Sequence, residues 1–203
     1  MELSEQDRKR ISAAINAAEA RTSGEIVCVL ARASSDVTAL PILIAAAIAL
    51  ALPWLLMATT SLAVNRILLL QIAAFLGFSA LLCLPRIRVA LVPRAVRRTV
   101  AHRVAMEQFV ARGIAHTKDR TGILIFVSLA EHYARVIADE GIAARVPQAE
   151  WQGALDALIA HVRSGRIADG FIVAIEQCGN LLAKHFPRTQ ASRDELPDRI
   201  YLI

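Results

Sequence analysis

The sequence is poor in the residues that build disulfide-rich or thiolate-metal proteins. It contains three cysteines in 203 residues, Cys28, Cys83 and Cys178, and no CxxC pair. An odd number of widely separated cysteines argues against a disulfide framework and against a thiolate metal site. We therefore expect the three thiols to behave as small buried hydrophobic groups.

Charged side chains are absent from two long stretches, residues 37–65 and residues 67–85. Each stretch reaches the roughly 20 residues that a helix needs to cross about 30 Å of hydrocarbon. The pattern predicts transmembrane helices at about 39–58 and 67–84, joined into a hairpin by the short link TTSLAVNR. The alternative, two core helices of a soluble protein, requires both helices to be buried.

The net charge of +5 comes from arginine, and its distribution predicts an orientation. The link carries only Arg66, whereas six arginines follow the second apolar stretch: Arg86, Arg88, Arg94, Arg97, Arg98 and Arg103. By the positive-inside rule we expect a two-pass protein of the bacterial inner membrane with both termini cytoplasmic. Membrane lipid is the expected partner of these arginines, and nucleic acid is not, because no stacking aromatics accompany them. The polar start MELSEQDRKR is unlike a signal peptide.

Periodicity outside these stretches predicts a small α/β domain. SEQDRKRISAAINAAEA is an amphipathic helix and EIVCVLA a strand buried on both faces. After the hairpin, a helix with a stripe of Val100, Val104, Phe109 and Val110 ends at Gly113. The strand ILIFVSL and a hairpin partner in AEHYARVIADEG follow.

Two amphipathic helices close the predicted domain. The first buries one face, and the second is expected to bury Ile172, Ile175, Leu181 and Leu182 and to end at Pro187. The members of the first face are Trp151, Ala154, Leu155, Leu158, Ile159 and Val162. The tail RDELPDRIYLI is expected to dock back onto the domain.

Without residues 37–96, the chain reads helix, strand, helix, strand, strand, helix, helix. The fold class is therefore α/β, a βαβ unit plus an antiparallel hairpin strand flanked by helices and interrupted by a transmembrane hairpin. The predicted divisions are 1–36 for the first part of the domain, 37–96 for the hairpin with its basic flank, and 97–203 for the second part. Two crossings return the chain to its starting side, so the two parts can join.

Four segments of this domain resemble the TPM domain family, in particular its bacterial branch in which a membrane hairpin interrupts the domain. They are EARTSGEIVCVLA, FVARGIAHTKDRTGILIFVSLAEHYARVIADEGI, GFIVAIEQCGNLLAKHFP and DELPDRIYLI. The resemblance implies a TPM-like sheet, and one of three roles: acid phosphatase, metal-binding fold, or assembly and repair factor of a membrane complex. Many members carry an acidic pair after the second strand; here AEHYAR has one acid, Glu131, before Arg135.

Asp36 and Glu131 are the candidate site residues, since each follows the carboxyl end of a predicted strand. If the two strands are parallel neighbours, both carboxylates lie at one edge of the sheet, where ligands commonly bind. Two acids with backbone carbonyls could hold Ca²⁺ or Mg²⁺ weakly, and solvated loop acids are the alternative. No catalytic residue and no organic cofactor is predicted, because the sequence has no P-loop, GxGxxG or HExxH motif.

Other polar motifs have plainer interpretations. HTKDRTG, with Lys118 and Arg120, is either a phosphate-binding loop or a polar turn, and Asp139 with Glu140 belongs to a turn at the opposite end of the sheet. The five histidines lack metal-ligand spacing and are predicted on the surface or on helix faces. The resulting hypothesis is a non-enzymatic, cytoplasm-facing domain that assembles, repairs or controls a membrane-protein partner. The alternative is a metal-assisted phosphatase at the membrane surface.

Overall fold

The computed structural model describes residues 3–33, 39–84, 87, 93–189 and 195–203. Within it the chain forms two compact units. One combines Met1–Ser34 with Val100–Ile203 and is called the α/β unit below, and the other is Ser35–Thr99, called the hairpin unit. Each unit is described by itself.

The α/β unit begins with helix α1, Glu5–Glu19, and strand β1, Glu25–Ala31, as the sequence predicts. Ser4 caps the helix: its Oγ accepts a hydrogen bond from the Asp7 amide at 3.1 Å and donates one to Asp7 Oδ2 at 2.7 Å. The cap satisfies an amide that the first helical turn would otherwise leave without a partner. All seven residues of β1 are buried.

The remaining elements follow in an order that confirms most of the predicted pattern. They are α2 (Ala39–Thr59), α3 (Val64–Leu82), α4 (Arg94–Ala111), β2 (Gly122–Ser128), β3 (Tyr133–Ala138), α5 (Glu140–Ala143), α6 (Gln152–Arg163), α7 (Ile167–His185) and β4 (Ile200–Leu202). Short 3₁₀ turns at Ile114–His116 and Gln148–Trp151 precede β2 and α6.

The described strands form one mixed sheet in the order β3-β2-β1-β4. Strand β1 pairs in parallel with β2, and β2 pairs antiparallel with β3, which confirms the βαβ unit and the hairpin strand. The tail docks as predicted, but it does so as a fourth strand, β4, parallel to β1. No strand was predicted there, because three residues carry too little periodicity to distinguish a strand from a loop.

Both faces of the sheet are covered, which explains the continuous apolar runs in β1 and β2. Ile26, Cys28 and Leu30 point into a core shared with α1, α6 and α7. Val27, Val29 and Ala31 point to the opposite face, where they belong to a second core with Ala105, Phe109 and Ile114. Alternate residues of one strand therefore serve two different cores.

The inward face of α4 differs from the predicted stripe. Ala101, Ala105 and Phe109 are buried, whereas Val110 is 57% exposed and Val104 only partly covered. Two alanines and a phenylalanine thus form the buried face, and the valines fall on its flanks. The predicted stop is confirmed, because Gly113 adopts a left-handed φ of 74° after the helix.

The two C-terminal helices follow the predicted pattern with one adjustment. Trp151, Ala154, Leu155 and Leu158 are buried before and within α6, while Ile159 and Val162 are half-buried. In α7 the buried face includes Ile175 and Leu182, as predicted, but Ile172 and Leu181 are only partly buried. Phe171, Ala174 and Cys178 complete that face.

The hairpin unit consists of α2 and α3, which pack against each other. Both contain apolar stretches long enough to span a membrane, with mean hydropathy 2.3 for Pro41–Thr59 and 1.7 for Val64–Leu82. Helix α3 begins three residues earlier than predicted, which leaves only residues 60–63 between the helices. Large apolar side chains are exposed along both helices.

Candidate functional site

The predicted acidic edge is only partly described, because Asp36 lies outside the described residues. Glu131 lies in the turn between β2 and β3, at the carboxyl end of β2, where the sequence places it. Its side chain is not the solvated loop acid of the alternative interpretation, since the residue is 7% exposed.

Glu131 is hydrogen-bonded within its own turn. The hydroxyl of Ser128, the last residue of β2, donates a hydrogen bond to Glu131 Oε2. The backbone around it continues the parallel ladder past the strand ends, because the amides of Leu129 and Ala130 donate to the carbonyls of Ala31 and Arg32 at 3.0 and 3.1 Å. Ser128 thus holds the Glu131 carboxylate at the edge of the sheet where β1 and β2 end.

The same turn contains a histidine in an uncommon backbone conformation. His132 has φ of 51°, in the left-handed region that non-glycine residues seldom adopt. Next to it, the Tyr133 hydroxyl lies 3.2 Å from Nδ1 of His102 on α4, and its ring meets Phe126 edge-on at 6.3 Å between centroids. These contacts fix the turn against α4.

This geometry is better suited to fastening the turn than to catalysis. A serine nucleophile needs a base and access to substrate, but Ser128 is only 1% exposed. Within the described part of the chain, no three His, Cys, Asp or Glu side chains are grouped closely enough to hold a metal ion. A Ca²⁺ or Mg²⁺ site that uses Asp36 and Glu131 stays a prediction.

The loop HTKDRTG uses its polar groups within the protein. The amide of Lys118 donates to Glu195 Oε2 at 3.1 Å, and the Thr121 hydroxyl donates to the Ser23 carbonyl at 3.0 Å. The Arg120 guanidinium lies 3.5 Å from carboxylate oxygens of both Asp139 and Glu140. The contacts favour the polar turn over the phosphate-binding loop, since the Lys118 amide and the Arg120 guanidinium, two of the groups that would bind phosphate, already have partners.

Asp139 and Glu140 lie at the start of α5, as the prediction of a turn implied. Asp139 is its N-cap, and its Oδ1 accepts a hydrogen bond from the Glu140 amide at 2.7 Å. A side chain at Gly141 would meet the carbonyl oxygen of Arg120 at 2.6 Å, so only glycine allows this approach. All five histidines are exposed or half-buried, which confirms their predicted placement.

A group of carboxylates at the opposite, amino-terminal edge of the sheet was not predicted. Glu19, at the end of α1, accepts a hydrogen bond from the Ile26 amide at 2.6 Å. Burial, together with the hydrogen bond that protonated Glu19 donates to the Asp198 carboxylate and the charge of Glu25, raises the pKa of Glu19 to about 9. Glu25 in turn accepts hydrogen bonds from the Glu195 and Leu196 amides at 3.3 Å each.

This carboxylate group ties the tail segment to the first strand. One signal for it was present in the sequence, because an acid in the last turn of a helix opposes the helix dipole and is unfavourable without another role. Its partner Asp198 is remote in sequence, so only the docked tail brings the two carboxyls together.

Two of the three thiols have the predicted role. Cys28 and Cys178 are fully buried in the core beneath the sheet, and burial raises the pKa of both, that of Cys178 to about 12. Such thiols are inert at neutral pH because the thiolate is the reactive form. Cys83 is half-buried near the end of α3.

Comparison with known proteins agrees with the sequence resemblance. The profile of the TPM domain matches residues 85–181. Among solved structures, the chain is similar to the NMR structure of the BA42 protein from the psychrophilic bacterium Bizionia argentinensis, with 22% identity and a TM-score of 0.62. That alignment covers 100% of this chain and 96% of the BA42 chain. No curated protein matches the chain.

Proposed function

We propose that this chain, which carries a TPM domain, is an integral membrane protein in which α2 and α3 form a transmembrane hairpin. In this proposal the α/β unit faces the cytoplasm and acts without catalysis in the assembly, repair or quality control of a membrane-protein partner. The observation that carries the proposal is the exposure of apolar surface on both hairpin helices.

That exposure supports the membrane interpretation of the apolar stretches. Core helices of a soluble protein are mostly buried, but only 11% of the apolar window of α2 and 6% of that of α3 are buried. With 21 and 19 residues, the two helices are each about 30 Å long, close to the thickness of the hydrocarbon core. A lipid environment stabilises exposed apolar helix surfaces of this kind.

The proposed orientation rests on arginine. Arg94, Arg97, Arg98 and Arg103 follow α3 within or at the start of α4, whereas the described residues between α2 and α3 carry no charge. The positive-inside rule therefore favours a cytoplasmic α4 and an external link. Because the chain crosses twice, the residues before α2 return to the same side as those after α3.

A labelling experiment in intact cells tests the topology. In a Cys83→Ser background, we expect Ser61→Cys in the link to react with a membrane-impermeant maleimide. Ser164→Cys, in the exposed turn after α6, should react only after the cells are broken. Buried Cys28 and Cys178 give little background. Labelling of Ser164→Cys in intact cells would reverse the orientation, and release of the protein by alkaline carbonate would exclude spanning helices.

The non-enzymatic role is supported by the internal partners of Ser128 and Glu131, and it has a direct competitor in the metal-assisted phosphatase. Purified full-length protein should give no turnover of phosphomonoesters with Ca²⁺ or Mg²⁺. Turnover that is lost in Glu131→Gln and kept in Glu107→Gln, a matched change on exposed α4, would establish the phosphatase instead.

Proximity labelling in the membrane tests the assembly role. It should recover a reproducible membrane-protein partner, and recovery of none would contradict this role.

A further inference from the structure

The outer face of α1 forms one wall of a cleft in the α/β unit. Glu5, Arg8, Lys9 and Ser12 line this wall, and their spacing of three and four residues puts them on one helical face. The opposite face of α1 is apolar and buried in the core. The helix is therefore fixed by its inner face while its outer face presents polar side chains to the cleft.

The second wall comes from the end of α4 and from the tail strand. Arg112, directly after α4, and residues 199–202 of the β4 segment line it, and the cleft has a volume of about 760 Å³. We call this space the β4 cleft. Its residues all belong to the α/β unit, so the inference below does not depend on the proposed membrane topology.

The lining of the β4 cleft has an excess of positive charge. Four cationic side chains and one carboxylate give it a net charge of +3; the cations are Arg8, Lys9, Arg112 and Arg199. Only Arg8 has an ion-pair partner among the described residues, Glu5 at the long distance of 3.8 Å. By contrast, Arg10, which does not line the cleft, lies 2.7 Å from Asp169.

Two of these cations are positioned without being neutralised. The Arg112 and Arg199 guanidinium groups lie over the ring of Tyr201, at 3.9 and 4.8 Å from its centroid. Arg112 also donates hydrogen bonds from Nε and Nη2 to the amide oxygen of Gln108, at 3.2 and 3.0 Å. An aromatic ring and a neutral amide hold the side chains in place and leave their full charge available to a ligand.

We propose that the β4 cleft binds a phosphate-bearing anion. Guanidinium groups match phosphate oxygens in geometry, and an ammonium adds a point charge beside them. A ligand with two or more negative charges balances the net +3 better than a single carboxylate does. Free phosphorylated metabolites and anionic lipid headgroups share this chemistry, and separate probes distinguish them.

Calorimetric titration of the full chain in neutral detergent tests the proposal with two probes. Pyrophosphate represents the free phosphate compound, and dihexanoyl phosphatidic acid represents the lipid headgroup. We expect saturable binding of at least one probe, weakened by added NaCl as screening predicts. Pyrophosphate alone assigns a soluble ligand, whereas stronger binding of phosphatidic acid assigns a lipid.

Variants connect the binding to the cleft. Lys9→Gln and Arg199→Gln should each weaken binding about threefold to fivefold, and the double variant about tenfold, as expected for exposed charge pairs. Lys9→Arg should bind like the wild type. Arg163→Gln, a matched loss of an exposed cation on α6, should have no effect.

Two results overturn the proposal. One is the absence of binding with both probes. The other is binding that Lys9→Gln/Arg199→Gln leaves unchanged, because the ligand then sits elsewhere. Lys9 and Arg199 are exposed, so the double variant should keep the circular dichroism spectrum and unfolding midpoint of the wild type, which separates loss of binding from loss of fold.

Discussion

The two units of this protein treat large apolar side chains in opposite ways. In the α/β unit, Trp151 is 1% exposed and Phe126 and Phe171 are fully buried. In the hairpin unit, Trp54 is 80% exposed, and Leu50 and Leu69 are about two-thirds exposed. The large apolar side chains of the two units thus differ sharply in their exposed fractions.

Under the proposed transmembrane hairpin, this difference reflects two different solvents. Water drives apolar groups inward, so the α/β unit has most of its charged residues exposed or half-buried and two cores, one on each face of its sheet. Hydrocarbon gives no such drive, and apolar groups on the outside of α2 and α3 are stable there. Among the described residues of these two helices, those buried are Pro41, Ala45, Ala49 and Ile67.

Removing one tryptophan from each unit tests this difference in exposure with the largest expected effect. Trp151→Ala leaves a cavity in the core and should lower the free energy of unfolding by about 3–5 kcal/mol. Trp54→Ala removes a ring that contacts little protein and should leave the unfolding of the α/β unit unchanged. Denaturant titration in detergent, followed by circular dichroism, measures both. Equal losses would contradict the contrast between the two units.

Glycine-to-alanine substitutions test the packing of the two units with smaller expected changes in stability. A methyl group at Gly179 would lie 2.7 Å from Cβ of Ala18, where α7 crosses α1. Gly179→Ala should therefore cost about 1–3 kcal/mol by overpacking. Gly153→Ala, whose nearest neighbour would be Gln177 Oε1 at 3.9 Å, should be neutral or slightly stabilising. In the hairpin, Gly77 has open space around it, and its replacement by alanine should not affect the α/β unit. Thermal unfolding ranks the three variants, and a Gly153→Ala loss as large as that of Gly179→Ala would refute the packing argument.

A further expected effect is a dependence on pH that arises in the α/β unit. Glu19 has an ordinary pKa of 4.5 when unfolded and about 9 in the folded protein, so between these values only the folded state keeps the proton. Its stabilising contribution is complete below pH 4.5 and is lost as the pH rises to about 9. Between pH 5 and pH 8 the free energy of unfolding should fall by about 1.4 kcal/mol per pH unit, and the unfolding midpoint should fall with it.

Glu19→Gln should flatten this dependence because glutamine cannot titrate. Glu176→Gln, on the exposed face of α7, is the matched control and should keep the slope of the wild type. A slope that persists in Glu19→Gln would assign the effect to other groups.

Local patterns predicted the elements of this fold, and contacts between distant segments explain what they missed. EIVCVLA and ILIFVSL read correctly as strands because burial on both faces makes a sequence continuously apolar. The face of α4 was misjudged because periodicity weighs alanine lightly, and two of the three buried residues of this helix are alanines. Strand β4 was missed because its three residues gain their conformation only by pairing with β1.

The candidate site was less predictable than the fold. Glu131 lies at the strand end where the sequence put it, but its bond with Ser128 depends on the shape of the turn. The Glu19 carboxyl and the β4 cleft both need the tail segment beside residues from the start of the chain. No pattern within one segment reports such a pairing, because the chemistry arises only where the two segments meet.

The sheet order also determines how long β1 lacks its neighbouring strands during synthesis. Strand β1 lies between β2 and β4, so both of its edges remain open until residues 122–128 and then 200–202 have been made. At about 5–20 residues per second, the interval from Ala31 to Gly122 alone lasts about 5–18 s. An open strand with six consecutive apolar residues, 26–31, is a template for aggregation during that time. The first strand therefore needs shielding from other chains until its neighbouring strands have been made.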